Sequence, residues 1–477
     1  MAGSIKKQSA PFASTYLVVI TWKEIIKVRE VSNSIKLKAI KALIFVIIGY
    51  GLSQVLRLAG NLVLTRLLAP ELFGLIALAN VFHRGLGLFS DLGIEPGVIR
   101  SKRANDPVFL KTAWSIQFIR GILLFVLTAI IAYPVSLFYD SPMLLLILPV
   151  IGITSIFQGF QSCSLYLLNK DLDQGKLVFI DLAGQIITLI VMIVIAYVYK
   201  SIWALVIGAL IAPFIKAVWS LYLPSNSGTG FKLEKTAAQE LISFGKWIFL
   251  STAMMFLATQ ADRILLGKIF PLALFGVYNI AAMFAELPKE VMDSVGNRVL
   301  FPLISQFNHL PRNELRDKIK NKRKFLLLPL ILLIAVLVCS GDYLIRFLYD
   351  KRYEQAAWML PMLAFGIWPF VLHLTINRSL YAIGKPKFMA LGDMIKFIYM
   401  VISVPLFYYF GGYFGAVLAV VLREIPVYIV VNIGLSREKL SLIKQDAWAT
   451  LLLFMLIALG IGLRLFLNLG IPGINGT

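Results

Sequence analysis

The chain has 477 residues, of which 59% are hydrophobic and only 15% are charged, whereas soluble domains carry about 25% charged residues. This composition excludes an ordinary soluble protein. The formal net charge is +21, but no soluble basic domain with interleaved aromatic residues is present, so nucleic-acid binding is excluded as well.

Apolar stretches of roughly 20 residues, the length that crosses a hydrocarbon core, follow one another along the chain. We predict an all-α polytopic membrane protein with about 12 core transmembrane helices. Residues 1–40 form a basic N-terminal arm. Residues 434–477 form a C-terminal extension whose apolar segment, 447–469, could span the membrane, lie in its interface or be re-entrant. The predicted crossings are 42–64, 72–92, 112–138, 143–168, 177–199, 202–223, 241–267, 272–296, 324–345, 356–380, 388–410 and 412–433.

The second half of the chain repeats a pattern of the first half about 200 residues later. Leu64–Gly74 and Leu266–Gly276 each contain a basic residue, a proline and a closing Phe-Gly pair, and each joins one apolar helix to the next. Six crossings per half give both halves the same orientation. We therefore expect two parallel six-helix lobes, 41–223 and 241–433, joined by a linker at 224–240 around a central cavity, as in many transporters.

Lys and Arg are concentrated in the N-terminal arm and in the even-numbered loops. By the positive-inside rule these segments lie in the cytoplasm. We therefore predict a multi-pass protein of the cell inner (plasma) membrane with a cytoplasmic N-terminus. The basic loop 312–324 would also attract anionic membrane lipid.

Arg57 lies deep in the first predicted helix, between Ser53 and Asn61 at positions i−4 and i+4. This spacing places the three polar side chains on one helix face. A charged side chain at the centre of a membrane helix costs at least about 2.5–3.5 kcal/mol, so it is retained for a reason. Two interpretations remain open, contact with an anion in the cavity and structural pairing with a buried acid.

The second predicted helix repeats the arrangement with Asn80, Arg84 and Asp91 on roughly one face. Arg84 and Asp91 could neutralise each other across two turns, or Arg84 could face the cavity. The two arginines on neighbouring helices, with Asn61 and Asn80, are our candidate residues for binding an anionic substrate.

Acidic residues form a stripe on the eighth predicted helix, where Glu286, Glu290 and Asp293 stand at i, i+4 and i+7. Such a stripe can bind a cation or exchange protons, or it can face water where the helix leaves the membrane. Glu286 is the deepest of the three. Together with Asp91 it is our candidate for coupling transport to H⁺ or Na⁺.

Other intramembrane charges are interpreted more simply. Asp393 and Lys396 are three residues apart and are expected to pair within their helix. Lys216 lies near a helix end and is expected to extend its amine towards the interface.

Catalytic motifs are missing from the sequence, which has no Walker A, no His/Cys cluster, no Ser-His-Asp set and no Gly-rich dinucleotide turn. Its two cysteines, Cys163 and Cys339, lie in apolar helices and do not indicate a metal site. We predict no enzymatic activity and no cofactor, so that net transport would draw on an ion gradient or on removal of the product.

Several segments resemble the polysaccharide transporters of the multidrug/oligosaccharidyl-lipid/polysaccharide exporter superfamily, and in particular the Wzx-type flippases. The likeness covers roughly residues 40–435 and rests on the order and spacing of its motifs. These are NLVLTRLLAPELFG (61–74), LLNKDLDQGKLVFID (167–181), ADRILLGKIFPLALFGVYNIA (261–281), LYAIGKPKFMALGD (380–393) and GGYFGAVLAVVL (411–422).

The resemblance implies two six-helix lobes around a cationic cavity. The cargo would be an oligosaccharide repeat unit on undecaprenyl pyrophosphate, turned over to the outer leaflet for O-antigen, capsule or exopolysaccharide synthesis. A polysaccharide polymerase complex would be a further partner. Related peptidoglycan-precursor flippases hold pyrophosphate with arginines near the middle of the first helix. The matching position here is Gly60, and Arg57 lies one turn earlier.

Three alternatives remain. A multidrug/cation antiporter of the same superfamily should have an acidic, aromatic cavity, which the intramembrane basic residues argue against. A peptidoglycan-precursor flippase would have a fourteenth helix that this sequence lacks. A membrane scaffold would have no need of charges within its helices.

Overall fold

In a computed structural model, residues 45, 48–90, 93–101, 103–171, 173–223, 229–289, 292 and 311–472 are described, with the backbone alone for 242–253 and 382. This part of the chain is helical and contains no β-strand. The candidate residue Asp91 lies outside this part, as do Glu290 and Asp293 of the acidic stripe and the N-terminal arm.

The helices are numbered here in chain order. They are α1 (48–67), α2 (Pro70–Phe89), α3 (Ile94–Arg100), α4 (Pro107–Phe138), α5 (Met143–Phe160), α6 (Ser164–Lys170), α7 (Gln174–Tyr199), α8 (Trp203–Leu221), α9 (Lys235–Ile269), α10 (Leu272–Ala285), α11 (Arg312–Leu348), α12 (Ala356–Gly366), α13 (Trp368–Ala382), α14 (Lys387–Val421), α15 (Ile425–Arg437) and α16 (Ile443–Phe466).

The predicted all-α membrane fold is confirmed, and helices occupy the predicted crossings. Nine helical stretches of the described chain are long and apolar enough to cross a membrane, and α1, α9 and α10 lie at three further predicted positions. One stretch, Lys387–Arg437, contains two crossings because the chain reverses at Gly412, which has φ 56° and ψ −142°. Lys396 consequently contacts Glu424 from the returning helix.

The thirteenth apolar stretch forms α16, which lies along α11. Arg323 contacts Asp446 at 2.6 Å near one end, and Arg464 contacts Asp342 at 2.7 Å near the other. Residue numbers rise together along both helices, so the two run in the same direction. Arg323 and Asp342 are separated by about 28 Å at 1.5 Å per residue, close to the thickness of a hydrocarbon core. This geometry favours a spanning helix over an interfacial or re-entrant one.

The two halves meet at the repeated Phe-Gly motif. The Gly74 Cα faces the carbonyl oxygen of Leu272 and the nitrogen of Gly276, and the Gly276 Cα faces the carbonyl oxygen of Pro70 and the nitrogen of Gly74. A shift of 202 residues converts Pro70 into Leu272 and Gly74 into Gly276. The contact is therefore reciprocal, as at a twofold interface, which agrees with parallel halves.

We expect Gly74→Ala to lower the free energy of unfolding by about 1–3 kcal/mol, because a Cβ there meets main-chain atoms that cannot rotate away. Gly87→Ala on the same helix is the matched control, since its Cβ would meet open space. Thermal unfolding of the purified variants in detergent measures both. Equal unfolding temperatures for the two variants would contradict the assigned contact.

Helix α9 packs against both halves of the chain. Ala237 and Leu241 belong to an apolar cluster built mainly from α3 and α4, and the Phe256 ring lies against Gly85 of α2. Leu266, near the other end, belongs to the central cluster with α10 and α14. α9 is thus positioned to present side chains to the space between the halves.

Candidate functional site

The first half presents Arg57 and Asn61 from α1. The Ser53 hydroxyl donates to Gln185 Oε1 at 2.7 Å, and Gln185 Nε2 donates to the Ser53 carbonyl at 2.9 Å, which fixes α1 on α7. Asn61 Nδ2 donates to the Met283 sulfur on α10 at 3.2 Å. Since α10 belongs to the second half, this face of α1 borders the space between the halves.

Arg84 on α2 faces the same space. Its side chain is exposed, yet Arg57 and Arg263 both lie within electrostatic range of it. No ion pair found among the described residues includes Arg84. Asn80 lies one turn earlier on α2 and is half-buried. Guanidinium groups from α1 and α9 thus each lie within electrostatic range of Arg84, and we call Arg57, Arg84 and Arg263 the arginine cluster.

The second half contributes carboxylates that are already paired. Arg263 contacts Glu286 at 3.2 Å, and Arg423 contacts Glu286 at 3.4 Å and Asp262 at 2.5 Å. The Tyr278 hydroxyl donates to Asp262 at 2.7 Å. The Glu286 side chain is only 19% exposed, so it does not simply face bulk water. It joins the arginine cluster to a buried ionic network.

One expectation about local pairing is wrong. Lys396 pairs with Glu424, not with Asp393, because the reversal at Gly412 brings the two crossings side by side. A partner from the neighbouring antiparallel crossing thus replaces the expected pairing within the helix. Lys216, near the end of α8, contacts Asp181 of α7 at 2.8 Å.

The arrangement suits an anion. Neighbouring like charges are unfavourable unless an opposite charge compensates them, and the described acids of this network already contact Arg263, Arg423 and Lys396. Guanidinium groups form paired hydrogen bonds with phosphate oxygens. Groups of three or more His, Cys, Asp or Glu that could hold a metal do not occur among the described residues.

Arg263 and Asp262 are not among the site residues predicted from the sequence. The internal repeat does point to Arg263. The shift of 202 residues aligns Arg263 with Asn61 and Glu286 with Arg84. Asn61 and Arg84 in the first half therefore hold the same positions as Arg263 and Glu286 in the second.

The sequence is similar to those of proteins named for polysaccharide biosynthesis. The chain is 22% identical over 276 residues to the teichuronic acid biosynthesis protein TuaB of Bacillus subtilis, covering 57% of this chain and 56% of that protein. It is 22% identical over 267 residues to the lipopolysaccharide biosynthesis protein WzxC of Escherichia coli, covering 55% and 52%. The chain thus spans about half of the length of these relatives.

A solved structure of the lipid II flippase MurJ in an inward closed conformation has the same fold. Its TM-score is 0.69 at 17% identity, covering 87% of this chain and 92% of that one. Residues 63–358, more than half of the chain, match the family described as polysaccharide biosynthesis protein. This chain belongs to the polysaccharide biosynthesis protein family.

Proposed function

We propose that the protein is a flippase that translocates oligosaccharide repeat units, linked to undecaprenyl pyrophosphate, across the inner membrane for O-antigen, capsule or exopolysaccharide synthesis. The observation that carries the proposal is that Arg57 and Arg263 lie within electrostatic range of Arg84, where the Asn61–Met283 contact brings α1 against α10 and Arg263 pairs with Glu286. Membership of a polysaccharide biosynthesis family supports it.

The chemistry of the cargo explains the site. A diphosphate carries about two negative charges and cannot enter a dry bilayer unless those charges are paired. Arg57 and Arg84 would bind its oxygens, with Asn61 and Asn80 alongside. The sugars would occupy the hydrated space between the halves while the prenyl chain stays in lipid. The positive-inside distribution supports loading from a cytoplasmic face that carries the N-terminus, with a polymerase complex receiving the product.

The arginine cluster also distinguishes the proposed flippase from a cation antiporter. A cation antiporter would gain nothing from three clustered guanidinium groups. A peptidoglycan-precursor flippase needs the same diphosphate contact, so the cargo itself must be identified. Depleting the protein and analysing lipid extracts by mass spectrometry does this. Accumulation of undecaprenyl-pyrophosphate-linked oligosaccharide is expected, whereas accumulation of a peptidoglycan precursor, or of no lipid-linked sugar, would contradict the proposal.

Energy coupling is proposed at Glu286, with Asp91 as a second candidate outside the described residues. Glu286 holds Arg263 by an ion pair. Protonation of the carboxylate would break this ion pair and bias one bundle conformation over the other. The lipid-linked sugar would then be exchanged against inward H⁺, with proton and cargo bound in different conformations, and Na⁺ is the other candidate ion.

We expect Glu286→Gln to flip lipid without responding to an imposed pH gradient, because its amide cannot be protonated. Reconstituted vesicles with imposed pH or Na⁺ gradients provide the measurement. Glu354→Gln is the control, since Glu354 forms an ion pair with Arg346 outside the cluster. A full gradient response in the Glu286 variant would remove Glu286 from the coupling site.

A further inference from the structure

A polar cavity lies inside the first half and is lined by residues of that half alone. Its volume is about 560 Å³, within the range of about 300–1,000 Å³ typical of small-molecule sites. Helices α1, α4, α5 and α7 form most of its wall, and amide, hydroxyl and phenol groups are prominent in its lining. They include Ser53, Gln117, Gln158, Gln161 and Tyr166.

Two side-chain amides in the cavity wall have no hydrogen-bond partner among the described residues. Gln117 is buried and held in place, since it accepts from the Tyr166 hydroxyl at 2.6 Å and donates to the carbonyls of Gln158 at 2.8 Å and Gln161 at 3.1 Å. These bonds fix the end of α5. In contrast, the side-chain amides of Gln158 and Gln161 form no hydrogen bond within the described chain and line the cavity. Each can donate to and accept from a ligand.

The charges around the cavity balance. Lys216 pairs with Asp181 at 2.8 Å, and Glu95 accepts from Asn169 at 2.9 Å. Arg120 donates to the Gly87 carbonyl at 2.8 Å, at the end of α2. Two basic and two acidic side chains leave no formal net charge. The cavity therefore favours a neutral, hydroxyl-rich ligand over the anion that suits the arginine cluster.

The cavity adjoins the arginine cluster. Gly49 and Ser53 line it, and Arg57 continues the same stripe of α1, about 6 Å further along the axis. On the other side, Arg120 reaches Gly87, which lies three residues after Arg84 on α2. A ligand with its charged group at the arginine cluster would have its neutral part beside this cavity.

We propose that this cavity binds the saccharide portion of the lipid-linked cargo, with the Gln158 and Gln161 amides as its recognition groups. The inference rests on the proposed function. It separates recognition of the sugar, inside the first half, from recognition of the diphosphate, between the halves.

The experiment measures binding of two probes to the full-length protein in nanodiscs. One is bare undecaprenyl pyrophosphate, and the other carries a trisaccharide of neutral hexoses on the same lipid. The wild type should bind the glycosylated probe about tenfold more tightly, as two or more added hydrogen bonds would give. Gln158→Ala combined with Gln161→Ala should remove this preference and leave the affinity for the bare lipid unchanged. Gln355→Ala, at an exposed glutamine outside the cavity, should leave both affinities unchanged.

The bare lipid also reports on folding, and the single variant Gln158→Ala repeats the test with a smaller change. A wild type without preference for the glycosylated probe, or glutamine variants that keep the full preference, would overturn the inference. Neither result contradicts the proposed function, provided that the wild type binds the bare lipid and that Arg57→Ala weakens this binding. Failure of the wild type to bind either probe would instead overturn the proposed function.

Discussion

Replacing Arg57 or Arg84 by alanine is expected to abolish flipping while the protein stays inserted and folded. Both side chains are exposed, so the fold does not depend on their burial. In the variant the diphosphate of the cargo would enter the membrane with one charge unpaired, which costs about 3–5 kcal/mol and corresponds to a loss of about 100-fold or more in rate. Arg57→Lys should restore part of the activity, because lysine keeps the charge and loses the planar fork.

Export of polymer by cells that carry each variant as the only copy measures this effect, and membrane content of the protein is measured in parallel. Arg346→Ala is the matched control, because Arg346 forms an ion pair with Glu354 away from the cluster. Wild-type export by the Arg57→Ala strain would contradict the assignment of Arg57 to the substrate.

Asp262→Ala is expected to lower the stability of the fold itself. This contrasts with Arg57→Ala and Arg84→Ala, which are expected to stop flipping in a folded protein. Asp262 is 2% exposed and contacts Arg423 and Tyr278. Removal of one partner from a buried ion pair costs about 3–5 kcal/mol, because the remaining charge stays buried. Asp140 pairs with Lys268 at the surface, with the Asp140 side chain 82% exposed, so Asp140→Ala should cost less than about 1 kcal/mol.

Thermal unfolding of the two variants in the same detergent separates these expectations. A large fall in unfolding temperature for Asp262→Ala and a small one for Asp140→Ala would support a structural role for the buried network. Equal shifts for the two would mean that Asp262 does not stabilise Arg423 as the geometry indicates.

The crossings could be predicted because one continuous stretch of sequence determines the length and polarity of a membrane helix. The two crossings on either side of Gly412 are a clear case, since the Gly411-Gly412 pair within α14 marks the reversal directly. The orientation of α16 could not be predicted in this way. It depends on contacts of Arg323 and Arg464 with residues more than 100 positions away, and no local pattern carries that information.

Some residues of the proposed site could be selected from the sequence for the same reason. Arg57 and Arg84 are conspicuous because each is a charge inside an apolar helix with polar neighbours on one face. Their neighbour Arg263 comes from the other half of the chain, so its place in the cluster depends on how the halves pack. The same limit explains the wrong pairing of Lys396, whose partner Glu424 lies on the next crossing.

The most direct test of the central claim is a flipping assay with purified components. Vesicles are prepared with undecaprenyl-pyrophosphate-linked oligosaccharide in both leaflets, and a membrane-impermeant glycosidase is added outside. With wild-type protein, cleavage should proceed past the outer-leaflet fraction towards completion. With Arg84→Ala it should stop at that fraction, as in protein-free vesicles. Complete cleavage with Arg84→Ala at the wild-type rate, or none beyond the outer leaflet with the wild type, would contradict the account.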